Sequence, residues 1–551
     1  MKKLPQNFIA GEQKNLLLVL LLTIVALFAI DFFFPDKPVQ NAPVIEQAPV
    51  IQADGRAEET EKNVPVTATQ RAPEIAVQNA KIAGSFDVAQ GGLNQLSLLD
   101  YKQTIEKDSP DVELLKSGDY WTTLRWTSVD TDMAQSENWQ VSATELTPFS
   151  PVTLTYQTKD FKIERVISLD NDYMVTYTDT LYNFKDTDMT VSLVGQIDRI
   201  LDEPIEPYSV HEGFLTVSNH KLVEEKYSAI QEKSFSESTK GGWIGITDKY
   251  WLTAFIFDQE NPTTVSFDNR DKLYTATFTG NSQIIAPHSS LTQTTRLFAG
   301  AKQLDILNHY QQEYKIPRFD LAIDFGWFYF LTKPFLYFLS FLYALVGNMG
   351  VAILIFATLL RIALLKPATQ SYESMAKMRK LNPKLKALRD QYGNDKMGLQ
   401  QATIALYKQE KVNPAAGCLP LFIQIPVFFA LYKVLSVSIQ MRQAPFFGWI
   451  QDLSAPDPSS VFTLFGLVPW PIPAFLDLGV WPVVMGITMY VQQKLGPKPT
   501  DKTQGDMMKW LPIIFVFMMG HFAAGLVIYW AWSNILSIAQ QKYIMKKVGV
   551  K

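Results

Sequence analysis

The sequence has 551 residues with one cysteine and five histidines, which excludes a disulfide framework and a multi-cysteine metal site and predicts no metal ion or cofactor. Its formal net charge of −4 hides an uneven distribution, because four segments hold 21 basic and 7 acidic residues while the whole chain has 50 basic and 54 acidic residues. These segments are residues 1–14, 366–411, 494–509 and 542–551.

The basic segments alternate with long apolar runs, and this alternation predicts a membrane topology. Basic residues concentrated in alternate loops are typical of cytoplasmic segments. We therefore expect the four basic segments, and with them both termini, on the cytoplasmic side. The large acidic region should then lie outside.

The N-terminal apolar run, residues 15–34, follows three lysines and resembles the start of a signal peptide. It has no small-x-small cleavage site directly after it and it extends toward spanning length, which favours an uncleaved anchor. Residues 1–34 are thus predicted to be a cytoplasmic stub and a transmembrane anchor. Residues 35–80 are rich in proline without apolar periodicity, which indicates a disordered linker.

Residues 81–318 are predicted to form an antiparallel β-sandwich domain with a C-terminal helix. Short alternating runs such as FKIERVISL and KLYTATFTG, bounded by Asp, Asn and Gly, are typical of sandwich strands. The domain has no H-E-x-x-H and no G-x-S-x-G, so a binding or structural role is favoured. Its scattered carboxylates still leave a sugar-acting pair open.

The last part of the chain is predicted to be mostly helical. Residues 319–347 are expected to form an interfacial helix on the outer side, with one long tilted span as the alternative. The core, residues 348–551, should contain five spans and a cytoplasmic helical hairpin at 368–413. The predicted spans are residues 348–366, 417–437, 476–494, 507–521 and 524–545. The fold class is therefore an α+β membrane protein with six transmembrane helices, counting the anchor.

Several predicted spans contain polar side chains at membrane depth. Arg361 is the least favourable of them. Placing an arginine at membrane depth costs about 2.5 kcal/mol of insertion free energy or more, unless the side chain snorkels, pairs or faces water. Each residue alone has an ordinary explanation, either snorkelling or helix–helix hydrogen bonding. Together they predict one hydrophilic groove, open to the cytoplasm, with Arg361 near its base. The other members are Thr358, Gln424, Ser533 and Asn534.

A charged groove of this kind suggests that polypeptide transfer is driven by binding and burial energy alone. The sequence has no G-x-x-x-x-G-K-[ST], so no nucleotide hydrolysis is expected. An acidic polypeptide tail would be attracted to Arg361, and the attached helix would then gain about 0.8 kcal/mol per methylene buried in lipid.

Several stretches resemble the Oxa/YidC/Albino family of membrane protein insertases, in its Gram-negative form with a large periplasmic domain. The matching stretches are GNMGVAILIFATLLR, QSYESMAKMRKLNPKLKALRDQYGND, ALYKQEKVNPAAGCLPLFIQIPVFFALY, MRQAPFFGWIQDLSAPDP and GLVIYWAWSNILSIAQQ. The stretches GGWIGITDKYWLTAFIF and DFGWFYFLTKPF resemble the Gram-negative form. The resemblance implies an inner-membrane insertase and chaperone rather than an enzyme. It also implies nascent membrane proteins, the Sec translocon, the ribosome and the signal-recognition pathway as partners.

The resemblance also implies roles for individual residues. Arg361 and Gln424 match the groove positions, and Tyr529 and Trp530 match the substrate-contacting region of the last span. Thr358 lies three residues before Arg361, displaced from the family's threonine position. Glu410 lies in the loop stretch that the family uses near the incoming chain.

The basic hairpin is predicted to contact anionic lipid head groups or the ribosome, without recognising a specific nucleic-acid sequence. Lys377, Arg379 and Lys380 are its candidate contacts, and an ordinary solvated helix face is the alternative. Two other functions stay open for the whole chain, an anion or small-solute transporter and a membrane-anchored sugar-binding enzyme outside the membrane.

Overall fold

The computed structural model describes residues 74–131, 133, 138–202, 210–393, 395–410, 412, 419–464, 467–468, 477–496 and 502–549. The predicted N-terminal anchor and the predicted linker up to residue 73 lie outside these residues.

The first half of the described chain is a β domain, residues 74–328, with 20 described strands between residues 74 and 301. Most of these strands alternate buried and more exposed side chains, whereas Gly213–Ser218 and Gly242–Thr247 are buried throughout. The strands are β1 Glu74–Gln78, β2 Ile82–Asp87, β3 Gly92–Lys102, β4 Asp111–Leu115, β5 Tyr120–Ser128, β6 Gln140–Val141, β7 Glu145–Leu146, β8 Val152–Gln157, β9 Phe161–Leu169, β10 Met174–Asn183, β11 Met189–Ile200, β12 Gly213–Ser218, β13 Lys221–Glu225, β14 Phe235–Lys240, β15 Gly242–Thr247, β16 Trp251–Ile256, β17 Pro262–Arg270, β18 Leu273–Gly280, β19 Gln283–Ile285 and β20 Ser290–Ala301.

The strands form three sheets. A nine-stranded sheet has the order β13-β12-β15-β16-β20-β10-β9-β8-β6, and a second sheet has the order β14-β17-β18-β11-β19 with β5 also paired to β11. Aromatic side chains join these two sheets, since the rings of Phe255 and Phe278 lie 5.4 Å apart and those of Phe214 and Phe267 lie 4.7 Å apart. A smaller sheet, β4-β3-β2-β1-β7, completes the domain, and its β1–β7 pair is parallel.

The domain begins earlier than the sequence indicates, because β1 lies inside the predicted linker at 35–80. Its five residues are too short for a periodicity signal, yet Ile75 and Val77 are each only 1% exposed. Pairing with β2 and β7 gives this short alternating run a buried face that the isolated sequence does not reveal.

The second half is mostly helical. The described helices are α1 Tyr227–Glu232 and α2 Leu304–Glu313, which belong to the β domain, followed by α3 Tyr329–Val346, α4 Met349–Ala363, α5 Leu365–Lys380, α6 Asn382–Tyr392, α7 Lys396–Gln409, α8 Leu419–Val437, α9 Val480–Leu495, α10 Lys502–Met519 and α11 Ala524–Val548. We refer to α3–α11 as the helical core. In it α11 contacts α4, α5, α8 and α9.

Among the described residues, α3 is the one helix that by itself is long and apolar enough to cross a membrane. The pair α4 and α5 meets the same criteria together, although it is bent by 68°. The predicted interfacial helix thus has the length and composition of a span as well. The count of six spans stays a prediction.

The chain breaks between α3 and α4 at the predicted place. Gly347 adopts a left-handed φ of 68°, and Asn348 caps α4 by accepting a hydrogen bond from the Val351 backbone at 3.0 Å. At the other end, α4 ends at Ala363, three residues before the end of the predicted span at 366, and Pro367 lies beyond it. It lies in the first turn of α5, where its missing N–H needs no helical partner.

The predicted hairpin at 368–413 is divided differently in the structure. Its beginning is part of α5, and only α6 and α7 form the hairpin itself. Gly393, with a φ of 51°, ends α6, and Asp395 caps α7 by accepting from the Gly398 backbone at 2.9 Å.

The β domain is joined to the helical core by polar contacts. Lys433 on α8 forms an ion pair with Asp324. Arg442 donates to the Lys102 carbonyl at 2.5 Å, and Gln443 donates to the same carbonyl at 3.0 Å. The loop that carries these residues also packs closely on α4, because a Cβ at Gly350 would lie only 2.0 Å from the Phe446 ring.

Lys302 lies at the same junction and is only 3% exposed. Its ammonium group donates to the Thr247 hydroxyl at 3.0 Å. Burial lowers the pKa of Lys302 to about 8, although the nearby carboxylates of Asp248, Asp324 and Glu212 oppose this shift. The charged lysine is therefore destabilising in the folded state.

This lowered pKa predicts a pH dependence of stability. Between about pH 8 and 10.4 the unfolded chain keeps the Lys302 proton while the folded chain loses it, so stability rises with pH in this window. Relative to Lys302→Met, the wild type should gain about 1–2 kcal/mol between pH 7.5 and 9.5. Unfolding of both full-length proteins at several pH values would measure the difference, and a constant difference would contradict the prediction.

Candidate functional site

Arg361 lies in the last turn of α4 and is half-buried. Its Nη2 donates to the hydroxyl of Tyr372 on α5 at 3.2 Å. Its Nε is buried and has no hydrogen-bond partner among the described residues, and no described carboxylate forms an ion pair with it. The guanidinium thus keeps hydrogen-bonding capacity and an uncompensated charge in this region of the helical core.

A second polar contact lies close to Arg361. The Gln424 amide of α8 donates to the Tyr529 hydroxyl of α11 at 3.2 Å, and that hydroxyl also forms a hydrogen bond with the Ser533 side chain. Arg361 is near enough to act electrostatically on Tyr529, which is 2% exposed. The structure therefore brings together Arg361, Gln424, Tyr529 and Ser533, and we call these four residues the polar cluster.

Thr358 lies one turn before Arg361 and has a different partner. Its hydroxyl donates to the Leu354 carbonyl at 2.8 Å and accepts from the Trp532 indole N–H at 3.0 Å. This contact joins α4 to α11, so in the structure Thr358 holds two helices together beside the polar cluster.

Replacing Thr358 with valine should destabilise the helical core by about 1–2 kcal/mol, because the partly buried indole N–H of Trp532 loses its acceptor. Thr358→Ser is the matched control, since it keeps the hydroxyl. Thermal unfolding of the full-length protein in detergent would measure both. Equal stability of the two variants would show that the hydrogen bond contributes nothing.

Trp530 and Asn534 lie on a different face of α11. Trp530 packs against Phe428 and Phe515, with ring centroids 4.7 and 5.4 Å away. Asn534 donates to the Thr488 hydroxyl of α9 at 3.1 Å. The structure does not bring these two predicted groove residues together with Arg361, because successive positions on a helix are rotated by about 100°.

The predicted cytoplasmic contacts are spread along α5 to α7. Lys377 and Lys380 are exposed, whereas Arg379 is half-buried and contacts the Met545 sulfur of α11 at 3.9 Å. Glu410 forms an ion pair with Lys384 of α6. The exposed basic side chains thus lie on the outer surface of α5, and Glu410 joins the end of α7 to α6.

Three residues that contact Arg361, Thr358 or α5 were not predicted from the sequence. Tyr372 binds Arg361, Trp532 binds Thr358, and Gln540 donates to the Thr369 hydroxyl at 3.2 Å while its carbonyl oxygen is buried without a partner in the described structure. The spacing of Tyr529, Ser533 and Gln540 at i, i+4 and i+11 could have indicated one polar face of α11. Among the described residues, no group of three or more His, Cys, Asp or Glu side chains could hold a metal ion.

Two family models together match most of the chain. Residues 74–338 match the YidC periplasmic domain, and residues 341–551 match the 60 kDa inner membrane protein family. The chain belongs to the YidC family of membrane protein insertases. The family resemblance predicted from the sequence is confirmed, and the β domain is the periplasmic domain of this family.

Two relatives with more than 40% identity match this chain over most of their length. The membrane protein insertase YidC of Brucella suis biovar 1 is 44% identical over 503 residues, which is 88% of this chain and 82% of the relative. That of Sinorhizobium fredii is 42% identical over 501 residues, 88% of this chain and 84% of the relative. A solved YidC insertase aligns over 95% of this chain and 98% of its own, with 16% identity and a TM-score of 0.35.

Proposed function

We propose that this chain inserts nascent proteins into the bacterial inner membrane through a hydrophilic groove built on the polar cluster, without nucleotide hydrolysis. The observation that carries the proposal is the state of Arg361. Its guanidinium is half-buried, touches Tyr372, and has neither a carboxylate partner nor a bond to its Nε among the described residues.

An arginine in this environment favours the binding of an anionic group. A charge that is partly removed from water and lacks a fixed counter-ion is costly, and a carboxylate on the incoming chain relieves that cost. Gln424, Tyr529 and Ser533 supply further donors and acceptors beside it. A polar segment could therefore enter the lipid layer part-way and exchange water for these side chains.

The driving force comes from the client rather than from a bound nucleotide. Once its polar tail is held, each methylene of the following helix gains about 0.8 kcal/mol on entering lipid. The tail is then released if its attraction to Arg361 is weaker than the total free energy gained by burying the client helix in lipid.

The same proposal includes the topology and the partners. Six spans with both termini in the cytoplasm place the polar cluster toward the cytoplasmic side and the β domain in the periplasm. The exposed Lys377 and Lys380 would contact the ribosome or anionic lipid, and Glu410 would lie near the incoming chain. The proposal also includes cooperation with the Sec translocon and the signal-recognition pathway, which the family resemblance supports.

Reconstitution into liposomes tests this function. Purified full-length protein should insert a short single-span client with an acidic tail in the absence of any nucleotide, and protease protection of the tail measures insertion. Empty liposomes are the control for spontaneous insertion. Insertion no better than in empty liposomes, or insertion that requires ATP, would contradict the proposal.

A further inference from the structure

A cavity of about 400 Å³ lies between the β domain and the helical core, and no residue of the polar cluster lines it. One wall comes from the β domain, at the end of β3 and the start of α2, and the other from α3, the last residue of α8 and the loop that follows it up to residue 445. This volume is suited to a small polar group rather than to a peptide segment.

The cavity wall contains charges of both signs. Arg442 lies on one side, with its guanidinium 5.5 Å from the Trp251 ring. The β domain contributes the exposed carboxylates of Asp100 and Asp305, and also the buried Lys302, whose ammonium group is bound to the Thr247 hydroxyl. The side-chain carbonyl oxygen of Gln440 accepts a hydrogen bond from the Ser340 hydroxyl at 2.9 Å. The amide N–H groups of Gln440 are therefore available to a ligand. A ligand with one anionic and one cationic group would complement this wall.

The position of the cavity shows where such a ligand would come from. Leu336, Ser340 and Tyr343 line the cavity from α3, at i, i+4 and i+7. The neighbouring Phe341 and Leu345 of the same helix are 56% and 66% exposed, so the polar wall continues into an apolar surface. Since α3 is long and apolar enough to cross a membrane, this surface would face lipid.

We propose that the cavity binds the phosphoethanolamine head group of a phospholipid from the outer leaflet. The phosphate would accept hydrogen bonds from Arg442 and the Gln440 amide, and the ammonium group would pair with Asp100 and Asp305. The acyl chains would follow the exposed face of α3. Because the two walls belong to different parts of the chain, the bound lipid would fasten the β domain to the helical core.

Binding measurements on the full-length protein in detergent test this site with three probes. They are a short-chain diacyl phosphoethanolamine, the matching phosphoglycerol lipid and free phosphoethanolamine. We expect the phosphoethanolamine lipid to bind about tenfold more tightly than either of the others, since only it offers both charges and the chains. In the double variant D100N/D305N this preference over the phosphoglycerol lipid should disappear.

The variant Asp108→Asn is the matched control, because Asp108 is an exposed carboxylate of the same region that does not line the cavity. If the double variant does not fold, D305N alone should still reduce the preference. Equal affinity for free phosphoethanolamine would assign the site to a soluble solute and overturn the proposal. Equal affinity for both lipids, or an unchanged preference in the variants, would also overturn it.

Discussion

Arg361→Ala should reduce insertion of a client with an acidic tail about tenfold, whereas Arg361→Lys should retain most of it. The reason is electrostatic. If the positive charge attracts the tail, a lysine ammonium supplies nearly the same attraction, and the planar fork of the guanidinium is dispensable. The measurement is protease protection of the client tail in proteoliposomes containing equal amounts of each protein.

Two comparisons separate this role from a structural one. Lys366→Ala is the matched control, because it removes an exposed charge five residues further along, outside the polar cluster. A client with a neutral tail should be less sensitive to Arg361→Ala than the acidic client. Equal losses in the alanine and lysine variants, for both clients, would instead assign Arg361 a geometric role through its contact with Tyr372.

The sequence predicted the two halves of the molecule well because each has a strong local signal. Period-two alternation in runs such as β9 and β10 identifies strands before their partners are known. Long uncharged runs identify the helices in the same way. The predictions differ from the structure where the outcome depends on contacts between residues distant in sequence. One case is β1, which is too short to be recognised without its neighbours, and another is the end of α4, which lies three residues before the predicted end at 366.

The candidate site could also be predicted only in part from local sequence patterns. Charge and polarity within apolar runs were sufficient to select Arg361, Gln424 and Ser533, because such residues are costly in lipid. Their grouping around Tyr529 depends on how α4, α8 and α11 pack, and no local pattern encodes that packing. Trp530 follows Tyr529 directly in sequence and yet packs against Phe428 and Phe515.

A buried ion pair in the β domain gives the largest expected effect on stability. Arg165 and Asp179 lie directly opposite each other on β9 and β10, and they are 0% and 1% exposed. Arg165 donates to the two carboxylate oxygens at 2.8 and 2.7 Å, and Trp126 donates to the same carboxylate at 2.8 Å. Arg165 also donates to the Leu124 carbonyl at 2.8 Å. Every oxygen of this carboxylate therefore has a partner inside the domain.

Asp179→Ala should destabilise the β domain by about 3–5 kcal/mol, because it leaves the Arg165 guanidinium buried without a counter-ion. The double variant Arg165→Met/Asp179→Leu should be more stable than Asp179→Ala, since it removes both charges, although the indole of Trp126 still lacks its acceptor.

Glu164→Ala is the control, because the Lys162–Glu164 pair on the same strand is partly exposed and should contribute less than about 1 kcal/mol. Hydrogen exchange of β9 and β10 in the full-length protein measures all three variants. If the double variant were as unstable as Asp179→Ala, the cost would come from lost packing rather than from the unpaired charge.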